Sequence, residues 1–165
     1  MNMRKLIPVA GSALALLVAA AAAAPAYAVT VAPAGAISLT GSTTLGKSGI
    51  TIGCTANLVG TITSTGEITI TSAKFSGNSL CSAVTGTGLP WTGAVLTTTG
   101  LQLHNVAVDV NVPLLGGACG PTPVAGTITE NTTAKETLIG LHNQLLSGGC
   151  SVSGTLQTTP YLTVH

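Results

Sequence analysis

Beyond residue 28, short runs of alternating apolar and polar residues are separated roughly every ten positions by Gly, Pro, Ser or Thr, the spacing of short strands and turns. Alternation with a period of two puts every second side chain on one face, so the pattern predicts β-structure. A first strand opens at Ala36-Ile37-Ser38-Leu39, after Pro33. Ile50, Ile52, Leu58 and Ile62 share one parity and mark a long second strand, expected to bend at Gly53 and Gly60. Thr63-Ser64-Thr65-Gly66 then reads as a turn, and Glu67-Ile68-Thr69-Ile70-Thr71 returns with clean alternation. That pair is the strongest hairpin signal in the chain.

A further strand is predicted from Leu101 to Val112. Leu101 and Leu103 have one parity, whereas Val106, Val108, Val110 and Val112 have the other. A β-bulge at His104-Asn105 would keep both sets on the core face. The segment Thr133 to Leu146 is open to two readings. Thr133 and Glu136 have capping-box spacing, and Leu138, Leu141 and Leu145 have helical spacing, but Gly140 and Asn143 interrupt them and the flanks are strand-like. A strand is the preferred reading. Gly53-Cys54-Thr55 leads into Val59-Gly60-Thr61-Ile62 much as Gly149-Cys150-Ser151 leads into Ser153-Gly154-Thr155-Leu156, a faint echo of duplicated hairpins. The expected architecture is therefore all-β: an antiparallel β-sandwich or open barrel of roughly 8–10 short strands.

The N-terminus changes the picture of where this domain works. Arg4 and Lys5 precede an uncharged apolar run from Leu6 to Ala24, Pro25 follows, and Ala26-Tyr27-Ala28 is a small-x-small site. This order is that of a cleavable secretory signal over residues 1–28, leaving a single all-β domain over 29–165. A transmembrane anchor of similar length is disfavoured by its alanine richness and by Pro25 before the cleavage site. No later apolar run is long enough to span, so the mature chain is expected to be secreted, with the cell surface or the periplasm as further destinations.

Loss of the signal removes two cations. Lys47, Lys74 and Lys135 then face Glu67, Asp109, Glu130 and Glu136, a balance that excludes nucleic-acid binding through a basic patch. Charged residues make up only 5% of the chain, yet 45% are hydrophobic, so a packed core rather than disorder is expected. Four cysteines in an exported chain read as two disulfides. Cys54–Cys81 with Cys119–Cys150 is the favoured pairing, because each encloses one hairpin-sized loop. Zinc would need short Cys or His clusters, which the sequence lacks.

Candidate chemistry is sparse. Gly41-Ser42-Thr43-Thr44-Leu45-Gly46-Lys47-Ser48 matches the P-loop pattern formally, but the residues after it read as strand, not as the phosphate-binding helix the motif requires. His104, His142 and His165 are the only imidazoles and Asp109 the only aspartate, with no nucleophile elbow beside any serine. The four carboxylates sit in Thr-rich, surface-like surroundings that suit solvated charges better than a glycosidase pair. No catalytic residue, cofactor or metal is therefore expected. Trp91, in Thr87-Gly88-Leu89-Pro90-Trp91, reads either as an aromatic capping the core or as an exposed surface anchor. Asn131-Thr132-Thr133 fits a glycosylation sequon, relevant only in a host with that machinery.

The order of landmarks carries a resemblance. Gly49-Ile50-Thr51-Ile52-Gly53-Cys54-Thr55 is followed by Ser79-Leu80-Cys81, Gly88-Leu89-Pro90-Trp91 and Asn111-Val112-Pro113-Leu114-Leu115. Cys119-Gly120-Pro121, Ser147-Gly148-Gly149-Cys150 and the tail Tyr161-Leu162-Thr163-Val164 complete it. The chain resembles the alkane oxidation protein activators, the PraA/PraB-like exported proteins. The resemblance implies a non-enzymatic accessory protein that promotes growth on long-chain alkanes by acting at cell or oil surfaces. Its partners would be a hydrophobic substrate or a cell surface. The alternative is a structural subunit of a fimbria, adhesin or biofilm matrix, self-associating through exposed strand edges with Val29-Thr30-Val31 as a donor arm.

Overall fold

The computed structural model describes residues 28–113 and 116–165. The expected leader, residues 1–28, lies outside them except for Ala28. In chain order the strands are β1 (Val31–Ala32), β2 (Gly35–Lys47), β3 (Ile50–Ile62), β4 (Glu67–Gly77), β5 (Val84–Thr87), β6 (Trp91–Thr97), β7 (Gly100–Val110), β8 (Gly117–Asn131), β9 (Glu136–Leu146), β10 (Cys150–Thr159) and β11 (Thr163–Val164). One 3-10 turn, Cys81–Ala83, precedes β5.

Neighbouring strands run in the order β7-β6-β4-β3-β2-β10-β9-β8, and β8 pairs back onto β7. Eight antiparallel strands thus close into a barrel. The ninth, β5, lies end to end with β6 along one side of β7: β6 pairs with the half from Gly100 to His104, and β5 with Ala107 to Val110. The expected sandwich or open barrel is therefore corrected to a closed one. The strands are also longer than expected, with thirteen residues in β2 and β3 and fifteen in β8. Length and closure go together, because tilted staves must be long enough to wrap the barrel. The echo between the Cys54 and Cys150 segments does not mark two sheets, since both strands flank β2 in the same one.

The alternation seen in the sequence becomes an inside and an outside. Along β3 every second residue is buried from Ile52 to Ile62. Most Val, Ile and Leu point inward, with Val59 an exception on β3, while Thr40, Ser42, Thr44, Thr55, Asn57 and Thr61 face out. This is the reverse of a bilayer-spanning barrel, whose outer face is apolar.

Register breaks fall where the parity predicts in β7. Asn105 takes a left-handed backbone (φ 57°), and the β7–β8 register shifts between Leu103 and Val106. The bulge keeps Leu101, Leu103, Val106, Val108 and Val110 all buried. In β3, by contrast, the pairing with β2 runs unbroken through Gly53 and Gly60. The irregularity near Gly60 belongs to β4: Val59 faces Ser72 and Gly60 faces Ile70, so Thr71 is the extra residue. Gly60 is needed there for another reason, because a Cβ would overlap the carbonyl oxygen of Thr69. The ambiguous segment is strand from Glu136 onward. A turn precedes it, in which the Asn131 Oδ1 accepts the Ala134 N–H at 3.0 Å and Lys135 adopts φ 56°.

The hairpins sort into two ends. One carries Ser48-Gly49, the link from Asn78 to Ala83, the end of β7 at Val110, the start of β8 at Gly117 and the turn 147–149. The other carries Thr63–Gly66, Thr98-Thr99, the turn 132–135 and the β1–β11 ribbon.

Candidate functional site: the barrel lumen

The inward side chains of all eight staves enclose a lumen with no polar surface in its lining. Ile70, Val110 and Trp91 are each at most 2% exposed. The packing nonetheless leaves a void of about 100 Å³. An apolar void of this size stays dry, and leaving one unfilled in a core costs on the order of 2 kcal/mol.

Three hydroxyls reach the buried layer, and each is spent on the protein itself. Thr43 donates to the Cys54 carbonyl (3.1 Å), Thr158 to that of Pro160 (3.0 Å) and Thr137 to that of Leu162 (2.6 Å). Thr137 also accepts the Leu162 N–H at 3.0 Å. Among the described residues no buried side-chain nitrogen or oxygen lacks a partner. The lumen therefore offers hydrocarbon contact and no free hydrogen-bonding group.

Trp91 starts β6, and its ring lines this lumen, with the indole N–H donating to the Thr87 carbonyl at 2.8 Å. At 2% exposure it is a core aromatic, which corrects the surface-anchor reading. Gly88 (φ 64°) allows the chain to turn back between the bonded Thr87 and Trp91, folding the ring inward.

The two ends are tied by different means. At the first, Cys54 on β3 is bonded to Cys81 in the turn after β4, and Cys119 on β8 to Cys150 on β10. The second bridge skips β9 and so ties two non-adjacent staves. Lys47 adds donation to the carbonyls of Gly117 (3.1 Å) and Ala118 (3.4 Å). The other end is held by hydrogen bonds alone. Val31 pairs with Val164, Thr30 and His165 exchange backbone bonds, and Val31 N–H reaches the Ser64 carbonyl (2.9 Å). The Glu130 carboxylate accepts the Val164 N–H at 2.7 Å. This clasp turns Val31, Leu162 and Val164 into the lumen. Thr137→Val would leave the buried N–H and C=O of Leu162 unpaired. It is expected to lower stability by about 1–3 kcal/mol in urea unfolding and to speed amide exchange at Val31 and Val164.

The remaining sequence candidates are scattered. The P-loop match spans the end of β2 and the hairpin to β3, with no helix after it. His104 and Asp109 are both exposed on β7 and five positions apart. Glu67 is exposed at the start of β4, and Glu136 accepts from Gln157 at 3.4 Å. His142 lies on the outer face beside Thr127 (3.4 Å). Among the described residues no three His, Cys, Asp or Glu side chains come together as a metal site. The sequence did not single out Thr137, and it offered Val31 only as part of a donor arm and Leu162 and Val164 only as landmarks of the resemblance. Their only local signal is a Val-x-Pro start and a Leu-Thr-Val finish, and what joins them is a contact between opposite ends of the domain.

Fold and site together define a class: a closed antiparallel barrel with an apolar lumen, a sparsely charged Thr-rich exterior and two disulfides at one end. The chain belongs to the alkane oxidation protein activator family, PraA/PraB-like, whose model matches residues 1–165. Neither the curated proteins nor the solved structures contain a match.

Proposed function

We propose that this protein is a secreted, non-enzymatic accessory factor that promotes access to long-chain alkanes by acting at cell or oil surfaces. The observation that carries the reading is the whole-chain match to a family named as activators of alkane oxidation. The barrel is compatible with it in two ways. An exterior of Thr, Ser and Asn with few charges tolerates an oil–water boundary without strong self-repulsion. Exposed aliphatics also occur at the disulfide end, where Ile50 (44% exposed) and Leu145 (70%) flank one shallow groove and Leu80 (40%) follows β4, while Leu96 (60%) and Val59 (44%) lie elsewhere.

The fimbrial or matrix reading gains less support. Barrel closure leaves no stave wholly unpaired on either side, although β4–β6 and β8–β9 pair over only part of their length, and the N-terminal arm expected to act as a donor strand is pinned in its own chain by Val164 and Ser64. Deleting the gene is expected to slow growth on hexadecane while leaving growth on acetate unchanged, with recovery when the exported protein is supplied. Normal growth of the deletion strain on hexadecane would refute the accessory reading. Assay of supernatant, outer surface and periplasm places the protein, and the largest share is expected outside the outer surface.

A further inference from the structure

We propose that the barrel lumen is a binding site for one saturated alkyl chain. The inference deepens the accessory reading above and rests on it for the choice of hydrocarbon, but its site is read from the barrel itself. Native cores seldom hold voids much larger than a water molecule, yet this one retains about 100 Å³ along its interior. An engineered apolar cavity of about 150 Å³ is enough to take up benzene, so the space here suits a few methylene groups before any wall side chain moves.

The chemistry of the walls selects the occupant. Among the described residues no charged side chain lines the lumen, and its polar lining residues Thr43, Thr137 and Thr158 have their hydroxyls committed to backbone carbonyls. A ligand group with its own donors or acceptors would be stranded there, whereas methylenes leave nothing unpaired. Trp91 and Phe75 are the aromatic rings among the aliphatic walls, and the Trp91 N–H is already bound, so both offer only apolar surface.

Trp91 is the only tryptophan of the chain and provides the test. The purified exported protein is titrated with 1-bromooctane, whose bromine quenches indole emission on contact, and n-octane is added as competitor. Saturable quenching that n-octane reverses is expected. Quenching that rises linearly, or that n-octane does not relieve, would overturn the proposal by showing contact from outside only. In a second arm the lumen is filled by Val124→Phe, with Val124→Ile as the milder version should the first fail to fold. Thermal unfolding shows that each variant is folded. Added methylenes in the lumen are expected to weaken probe binding about tenfold or more. A folded filled variant that binds as wild type would overturn the site.

Growth separates this proposal from the reading it rests on. If the deletion strain grows normally on hexadecane, the accessory role fails while quenching still judges the lumen. If a filled variant takes up no probe yet restores growth fully, the lumen is the alkyl site as proposed, but the accessory role does not run through it.

Discussion

Replacing Cys119 and Cys150 together by alanine is expected to lower the unfolding free energy by about 3.5 kcal/mol, read as a lower urea midpoint with a steeper slope, since the unfolded chain expands once the bridge is gone. The bridge closes a loop of 31 residues' separation, and the chain-entropy estimate for such a loop gives that magnitude. Structure adds to the entropy argument. The bond ties β8 to β10 across the intervening β9, and both sulfurs are buried, so the variant also loses packing at the disulfide end. The pair Cys54 and Cys81 has a similar separation of 27, but it anchors the turn after β4 rather than two staves of the wall. Its removal is expected to cost a similar loop term while leaving the β8–β9–β10 register intact. A loss below about 1 kcal/mol for Cys119/Cys150 would mean that the unfolded chain already holds these ends together.

Trp91→Ala is expected to cost about 3–5 kcal/mol, the range for removing a buried large aromatic. The ring is 2% exposed, lines the lumen and spends its N–H on the Thr87 carbonyl, so truncation both enlarges the void and orphans that carbonyl. Circular dichroism in urea is the suitable measurement, because the variant has no tryptophan. Trp91→Phe retains most of the apolar contact and is expected to cost less than half as much. If Trp91→Ala were as stable as wild type, the ring could not be the core element that the barrel makes it.

Several features of this molecule were open to inspection in its sequence because they are local. The β7 bulge is one. Two sets of apolar residues of opposite parity cannot share a face unless one extra residue intervenes, and Asn105 tolerates the left-handed backbone such a residue takes. The hairpin at Thr63–Gly66 is another, with Gly66 at φ 84° and the Thr63 hydroxyl accepting the Glu67 N–H. Parity of the β3 residues likewise identified its core face. β8 was hidden for an equally local reason: Cys119-Gly120-Pro121-Thr122-Pro123 looks like a loop, since proline cannot donate to a ladder. The barrel accommodates it where the β7–β8 register is already irregular, between Val106 and Val108.

The sequence by itself determined the all-β character, the inward and outward faces of the main strands, and the lack of any local motif for catalysis or metal binding. Alternation is a property of one strand and its solvent boundary, so it can be read without knowing the neighbours. Only the tertiary structure decided that β8 returns to β7, that the sheet therefore encloses a lumen, and that Trp91 lines it instead of facing outward. Those outcomes depend on which strand edges meet. The clasp shows the same limit most plainly, for Val31 and Val164 have no local reason to pair and do so because closure of the barrel brings the two chain segments to one end.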